Sequence, residues 1–201
     1  MDNFFNLRAE KQEHIINAAL SAFGKNGYKK ASVADIADEA GIAKGMINYY
    51  FGSKKNLYLY LAEFSFKCLT KAMDERYNGD VSDLFEKMKM MTGIKVELMK
   101  EHPSIFSFLT SLYNEADPDV ASDIAAFYAS GKEFRERMLF DGIDFSKFRD
   151  DVDPRLVDKF LVWAAEGFTN NLRNNMDIGS IEALVKDLHD FLDIMQRHFY
   201  K

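Results

Sequence analysis

Between residues 44 and 54 the chain sets out Lys44, Gly45, Met46, Asn48, Tyr49, Tyr50 and Lys54. At about 100° per residue, a helix that buries Ile47 and Phe51 turns Gly45, Met46 and Tyr49 most directly outward. Lys44 and Asn48 then flank them on one side and Tyr50 on the other. These residue types suit the surface of duplex DNA. A lysine reaches guanine O6/N7 or a phosphate, an asparagine pairs with adenine, a methionine meets a thymine methyl, and tyrosine hydroxyls and the Lys54 ammonium bind phosphates. Gly45 removes a side chain where a helix N-terminus has to come close to its target. Ser32 offers a second phosphate contact through its hydroxyl and the helix N-terminus behind it, and is equally suited to be a plain cap. Tyr49 and Tyr50 are also of a type that packs, and Lys54 with Lys55 also reads as a solvated pair; their place just after the short helix favours the DNA reading.

The elements that must position these residues are legible. A first helix carries Ile15, Ile16, Ala19, Leu20, Ala22 and Phe23 at helical spacing and ends at Gly24-Lys25-Asn26-Gly27. Ser32 caps a second, with Val33, Ile36, Ala37 and Ala40 on one face and Gly41 as its stop; a third begins at about Ala43 and breaks at Gly52. Two short helices around a glycine turn are the parts of a helix-turn-helix, whose second helix enters the major groove.

The run Ser32-Val33-Ala34-Asp35-Ile36-Ala37-Asp38-Glu39-Ala40-Gly41-Ile42-Ala43-Lys44-Gly45-Met46-Ile47-Asn48-Tyr49-Tyr50-Phe51-Gly52-Ser53-Lys54-Lys55-Asn56-Leu57, with the preceding helix ending in Phe23 to Tyr28, closely resembles the DNA-binding segment of the TetR/AcrR family of bacterial transcriptional regulators. It covers about the first quarter of the chain. Asn48 departs from the tyrosine of many relatives, in the pattern Gly-x-Ile-Tyr-x-Tyr-Phe, so their operator sequences do not carry over. The resemblance implies an all-α, nine-helix TetR-like fold: a three-helix DNA-binding domain over residues 1–52 and a larger effector-binding and dimerisation domain over residues 53–201. It also implies that a small molecule bound among helices four to eight tilts helix four and moves two reading heads out of register, most simply as a repressor released from its operator.

Periodicity beyond residue 52 stays helical. A fourth helix capped by Ser53 runs to Asn78-Gly79-Asp80 and a fifth spans Leu84 to Met99. Pro103, Pro118 and Pro154 each sit where a helix starts, the latter two behind Asp117 and Asp153, giving a sixth helix to Tyr113, a seventh to Phe140 and an eighth to about Asn175. Residues 141–153 read as a connecting loop, and Ser180 caps the ninth helix. The eighth is apolar on more than one face through Leu156, Val157, Phe160, Leu161, Trp163, Ala164 and Phe168, and the ninth carries a long apolar stripe. Packing both against their copies makes a four-helix homodimer interface, which places two recognition helices about 34–36 Å apart on a palindrome. Eight of the ten methionines lie in this half, and most of its apolar residues are core. An apolar or amphipathic effector is expected, with Met91, Tyr113, Tyr128 and Trp163 as lining residues and Glu166, Asn170 and Asn171 as polar contacts if they face inward.

Composition narrows the classes. The chain of 201 residues has a formal charge of −6, but residues 1–56 carry +2 and the remainder −8, so an anionic partner is tolerated at one end only. Cys68 stands alone, which excludes an internal disulfide and a Cys-based metal site. His14, His102, His189 and His198 are scattered and none follows a glutamate by three, so the ligand spacing of a di-iron bundle enzyme is absent. No catalytic residue, metal or cofactor is called for. With no apolar run near the roughly 18–20 residues of a membrane span and no basic start of a secretory signal, a cytoplasmic protein is expected.

Overall fold

The computed structural model describes residues 1–77, 79–113, 115–172 and 178–201, with side chains described outside residues 165–180. Among the described residues there are ten α-helices and one 3-10 turn: α1 (Asp2–Phe5), α2 (Ala9–Lys30), α3 (Val33–Glu39), α4 (Met46–Phe51), α5 (Lys54–Arg76), α6 (Leu84–Glu101), α7 (Pro103–Leu112), α8 (Ala121–Phe140), the 3-10 turn Phe145–Lys147, α9 (Pro154–Leu172) and α10 (Ile178–Phe199). The all-α class is as expected. The first helix foreseen from periodicity is α2, and α1 is additional. Its Phe4 is fully buried, with ring centroids 4.8 Å from Phe51 and 5.7 Å from Tyr60.

The chain forms two compact units, one of residues 1–71 and 101–132, the other of residues 72–100 and 133–201. Compactness therefore does not divide at residue 52. Instead α7 and the start of α8 belong with the N-terminal helices. Gly24 explains part of this: a Cβ there would lie 2.7 Å from Ser107 Oγ and 3.0 Å from the Phe108 backbone nitrogen, so the glycine lets α7 press against α2. It does not end the helix. The backbone turns at Gly27 (φ 69°, ψ 177°) and closes its last turn at Lys30. Beneath this contact Tyr58 is the hub of an aromatic cluster, 4.9 Å from Phe23, 5.1 Å from Tyr28 and 5.3 Å from Phe108. Edge-to-face rings at such distances add to the burial of their area.

The second unit is built around Phe85, Phe148 and Tyr200, with Phe148 and Tyr200 4.8 Å apart and joined by an isolated antiparallel bridge. Lys87 is buried, and its Nζ donates to the Asp141 carbonyl at 2.6 Å, just past the end of α8, where a cation also meets the negative end of the helix dipole. Arg135 donates to the buried Asp158 through both terminal guanidinium nitrogens, one at 3.1 Å. Pro154 opens α9, and Asp153 Oδ1 accepts the Arg155 N–H at 2.9 Å. Pro103 likewise opens α7. Pro118 does not open α8. Asp117 Oδ1 accepts the Asp119 N–H at 3.0 Å, a local turn occupies residues 118–120, and the helix starts at Ala121. Ser180 falls inside α10, which begins at Ile178, so it is not the cap.

Candidate nucleic-acid interface

Ser32 Oγ accepts the Asp35 N–H at 3.3 Å, the hydrogen bond of an N-cap, and sets the start of α3. The helix ends in a Schellman turn: Ile42 N–H donates to Ala37 at 2.9 Å and Gly41 N–H to Asp38 at 3.2 Å, with Gly41 at φ 62°. This turn aims α4. Ile36, Ala37, Ile47 and Phe51 are buried between α3, α4 and α2, which leaves the opposite side of α4 outward.

On that side Lys44, Gly45, Asn48 and Tyr49 are exposed, Tyr49 at 60 %, and Met46 is half-buried. Tyr50 is the correction. It is 6 % exposed and its ring lies 6.1 Å from that of Phe4, so the ring belongs to the core instead of standing clear on the outer face. Gly45 has φ −73° and ψ −14°, values open to any residue, and nothing lies within 4 Å of a Cβ placed there. Neither its own backbone nor its packing requires a glycine; an external surface pressed against the helix would.

Lys54 is half-buried. Its Nζ donates to the Lys29 carbonyl at 3.2 Å and sits 4.8 Å from the centroid of the Tyr28 ring. Burial pushes its ammonium below the usual lysine range, opposed by the nearby Asp117, Glu115 and Asp119 carboxylates. Lys55 pairs with Asp123 at 2.8 Å and donates to the Asp119 carbonyl at 2.7 Å. Helical periodicity gave no sign of this acidic turn between α7 and α8. The signal that was available is composition: Glu115, Asp117, Asp119 and Asp123 are close in sequence, and the N-terminal segment carries the excess of lysine.

Of the four expected effector contacts, Tyr113 and Tyr128 belong to the first unit and Met91 and Trp163 to the second. Tyr113 and Tyr128 do meet, ring centroids 4.8 Å apart, in the first unit. Met91 is buried in α6 of the second unit. Trp163 is 54 % exposed on α9 in line with the exposed Leu156 and Phe160, with Lys159 Nζ 4.9 Å from its ring centroid. That outward stripe, continued in kind by exposed Phe191 and Ile194 on α10, takes Trp163 out of a pocket lining. The Glu166, Asn170 and Asn171 side chains lie outside the described residues. A groove of about 400 Å³ between α5 and α8 is lined by other residues, among them Leu59, Ala62, Glu63, Phe66, Lys67 and Phe127. Among the described residues, no group of three or more His, Cys, Asp or Glu is placed to hold a metal, and no helix is long and apolar enough to cross a membrane.

Comparison with known proteins agrees with this geometry. The sequence model of the bacterial regulatory proteins of the tetR family matches residues 15–61. The chain is 24 % identical over 179 residues to the HTH-type transcriptional repressor KstR2 of Rhodococcus jostii, covering 79 % of each protein. It is 23 % identical over 150 residues to the fatty acid metabolism regulator protein of Bacillus subtilis, covering 73 % of this chain and 75 % of that one. In fold it resembles a TetR family transcriptional regulator from Chloroflexus aurantiacus, with a TM-score of 0.77 at 21 % identity over 100 % of this chain and 98 % of the other. The Bacillus subtilis regulator FadR, solved in complex with stearoyl-CoA, is similar with a TM-score of 0.67 at 18 % identity over 90 % and 96 % of the two chains.

Proposed function

Because the chain belongs to the tetR family of bacterial regulatory proteins, and is a regulator and not an enzyme, we propose that it is a cytoplasmic transcriptional repressor. It binds a palindromic operator as a homodimer and is released by a small amphipathic or apolar effector. The observation that carries this reading is the outward face of α4, where Lys44, Gly45, Asn48 and Tyr49 stand free on a helix fixed by Ile47 and Phe51. Lys44 and Asn48 read base edges, Met46 meets a thymine methyl, and Tyr49, Lys54 and the Ser32 cap hold phosphates. Residues 1–52 read DNA, and the remainder senses the effector and dimerises. The exposed stripe of Leu156, Phe160 and Trp163 on α9, with Phe191 and Ile194 on α10, is the surface two copies share.

The effector is sensed in the helices beyond α4, with Tyr113 and Tyr128 of the first unit as candidate contacts. An acyl thioester is the first compound to try, since the similar FadR binds stearoyl-CoA. To swing DNA binding from 99:1 to 1:99, such a ligand must favour the released state by roughly 5.5 kcal/mol.

The test is a fluorescence-anisotropy titration of the protein on DNA from upstream of its own gene and on scrambled DNA, at two salt concentrations, with and without stearoyl-CoA. Tight, sequence-selective, salt-sensitive binding is expected. A duplex selected by the protein from a random pool serves as a second probe, and failure to select any duplex refutes the reading.

A further inference from the structure

Tyr28 follows the Gly27 turn at the end of α2 and is held from both ends by the acidic turn between α7 and α8. Its backbone N–H donates to Glu115 Oε2 at 2.8 Å, and its hydroxyl donates to Asp119 Oδ2. Glu115 Oε2 also accepts the Tyr58 hydroxyl at 3.4 Å, and Glu115 Oε1 accepts the Asp117 N–H at 3.0 Å, so the turn is itself fixed. The same turn holds Lys55 through the Asp119 carbonyl, and Asp123 in the first turn of α8 pairs with it. Burial, and then the bond to Asp119, hold the Tyr28 phenol well above its usual range, so it is a permanent donor.

The other face of the Tyr28 ring carries the Lys54 ammonium, whose bond to the Lys29 carbonyl uses one of its three donors. Two donors remain for a phosphate. A phenylalanine at 28 would fill the same space against Phe23 and Tyr58, so core packing does not account for the hydroxyl. What the hydroxyl adds is direction: a charge-assisted bond fixes the ring, and the ring fixes the ammonium.

We propose that Tyr28 is a positioning residue for the DNA grip, clasped by Glu115 and Asp119 so that the place of the α7–α8 turn sets the place of the Lys54 ammonium. This rests on the DNA-binding reading above and adds a route by which movement of α7 or α8 reaches the phosphate contact. A lysine held in advance gives up less freedom on binding than a free one.

The experiment is a double-mutant cycle on the duplex selected from a random pool. Tyr28→Phe keeps the ring and the backbone bond, and Asp119→Asn removes the charge; circular dichroism confirms that each folds. Either variant should lose affinity about three- to tenfold, the effect of freeing one long side chain, on selected and scrambled duplexes alike. In a Lys54→Ala background, Tyr28→Phe should change affinity less than twofold. An equal loss in both backgrounds, or no loss in the wild-type background, overturns the proposal while leaving DNA binding intact. Wild-type protein that selects no duplex overturns the DNA reading and this role with it.

Discussion

Replacing Gly45 with alanine separates what the fold needs from what the target needs. The residue has helical dihedrals and nothing within 4 Å of the added carbon, so no clash arises in the free protein. Alanine restricts the unfolded chain, which stabilises by about 0.4–1 kcal/mol, and caps a helix less well than glycine by a similar amount. The two nearly cancel. For a chain of this length the midpoint of thermal unfolding should move by no more than about 2 °C. On DNA the same methyl group enters a close contact, and overpacking there costs about 1–3 kcal/mol, or roughly 5- to 150-fold in affinity. Differential scanning fluorimetry and anisotropy on one preparation measure both. Full affinity with unchanged stability would show that the N-terminus of α4 does not approach DNA, and the interface would have to be sought on another face.

Truncating the buried ring in Phe4→Ala should cost about 3 kcal/mol in denaturant unfolding, since Phe4 closes the core over Tyr50 and Phe51; a loss under about 1 would mean that α1 frays. Lys54→Ala should weaken binding equally on all sequences and lower the salt slope by about 1, and an unchanged slope removes it from the phosphate contacts. Asn48→Ala should alter preference among operators, whereas equal losses everywhere would reduce it to a backbone contact. Phe160→Glu places a charge on the exposed stripe of α9 and should give a monomeric mass by light scattering where the wild type gives a dimer, with DNA affinity falling as two linked heads become one. A dimer that survives the change would move the interface elsewhere.

The reading head was legible because its signals are local. Ser32 as a cap, Gly41 and Gly52 as left-handed stops and Ile47 with Phe51 as a buried pair each follow from neighbours within one turn. Helical spacing places Tyr50 on the outer flank, because the ring it packs against, Phe4, lies 46 positions away and outside any helical period. Within the stop Gly24-Lys25-Asn26-Gly27 only Gly27 turns the chain, because a glycine demanded by a neighbouring helix, as Gly24 is, looks the same in sequence as one demanded by a turn. Pro118 follows an aspartate just as Pro154 does, and Asp117 and Asp153 each accept the N–H two residues on, yet residues 118–120 form a separate turn and α8 starts only at Ala121. The effector contacts were the least legible. Residue type suggested Met91 and Trp163, but whether a methionine or a tryptophan faces a hollow, a core or a partner depends on packing that periodicity does not contain.

The close seat of α7 on α2 bears on how such proteins can be recombined. A reading head cut at residue 52 and grafted onto another sensor would leave behind Leu57, Tyr58, Ile105 and Phe108, which close the buried cluster that its own Ile15, Leu20 and Phe23 begin. The exchangeable module is discontinuous: residues 1–71 travel with residues 101–132, and a chimera that respects only the sequence border inherits a head without its floor.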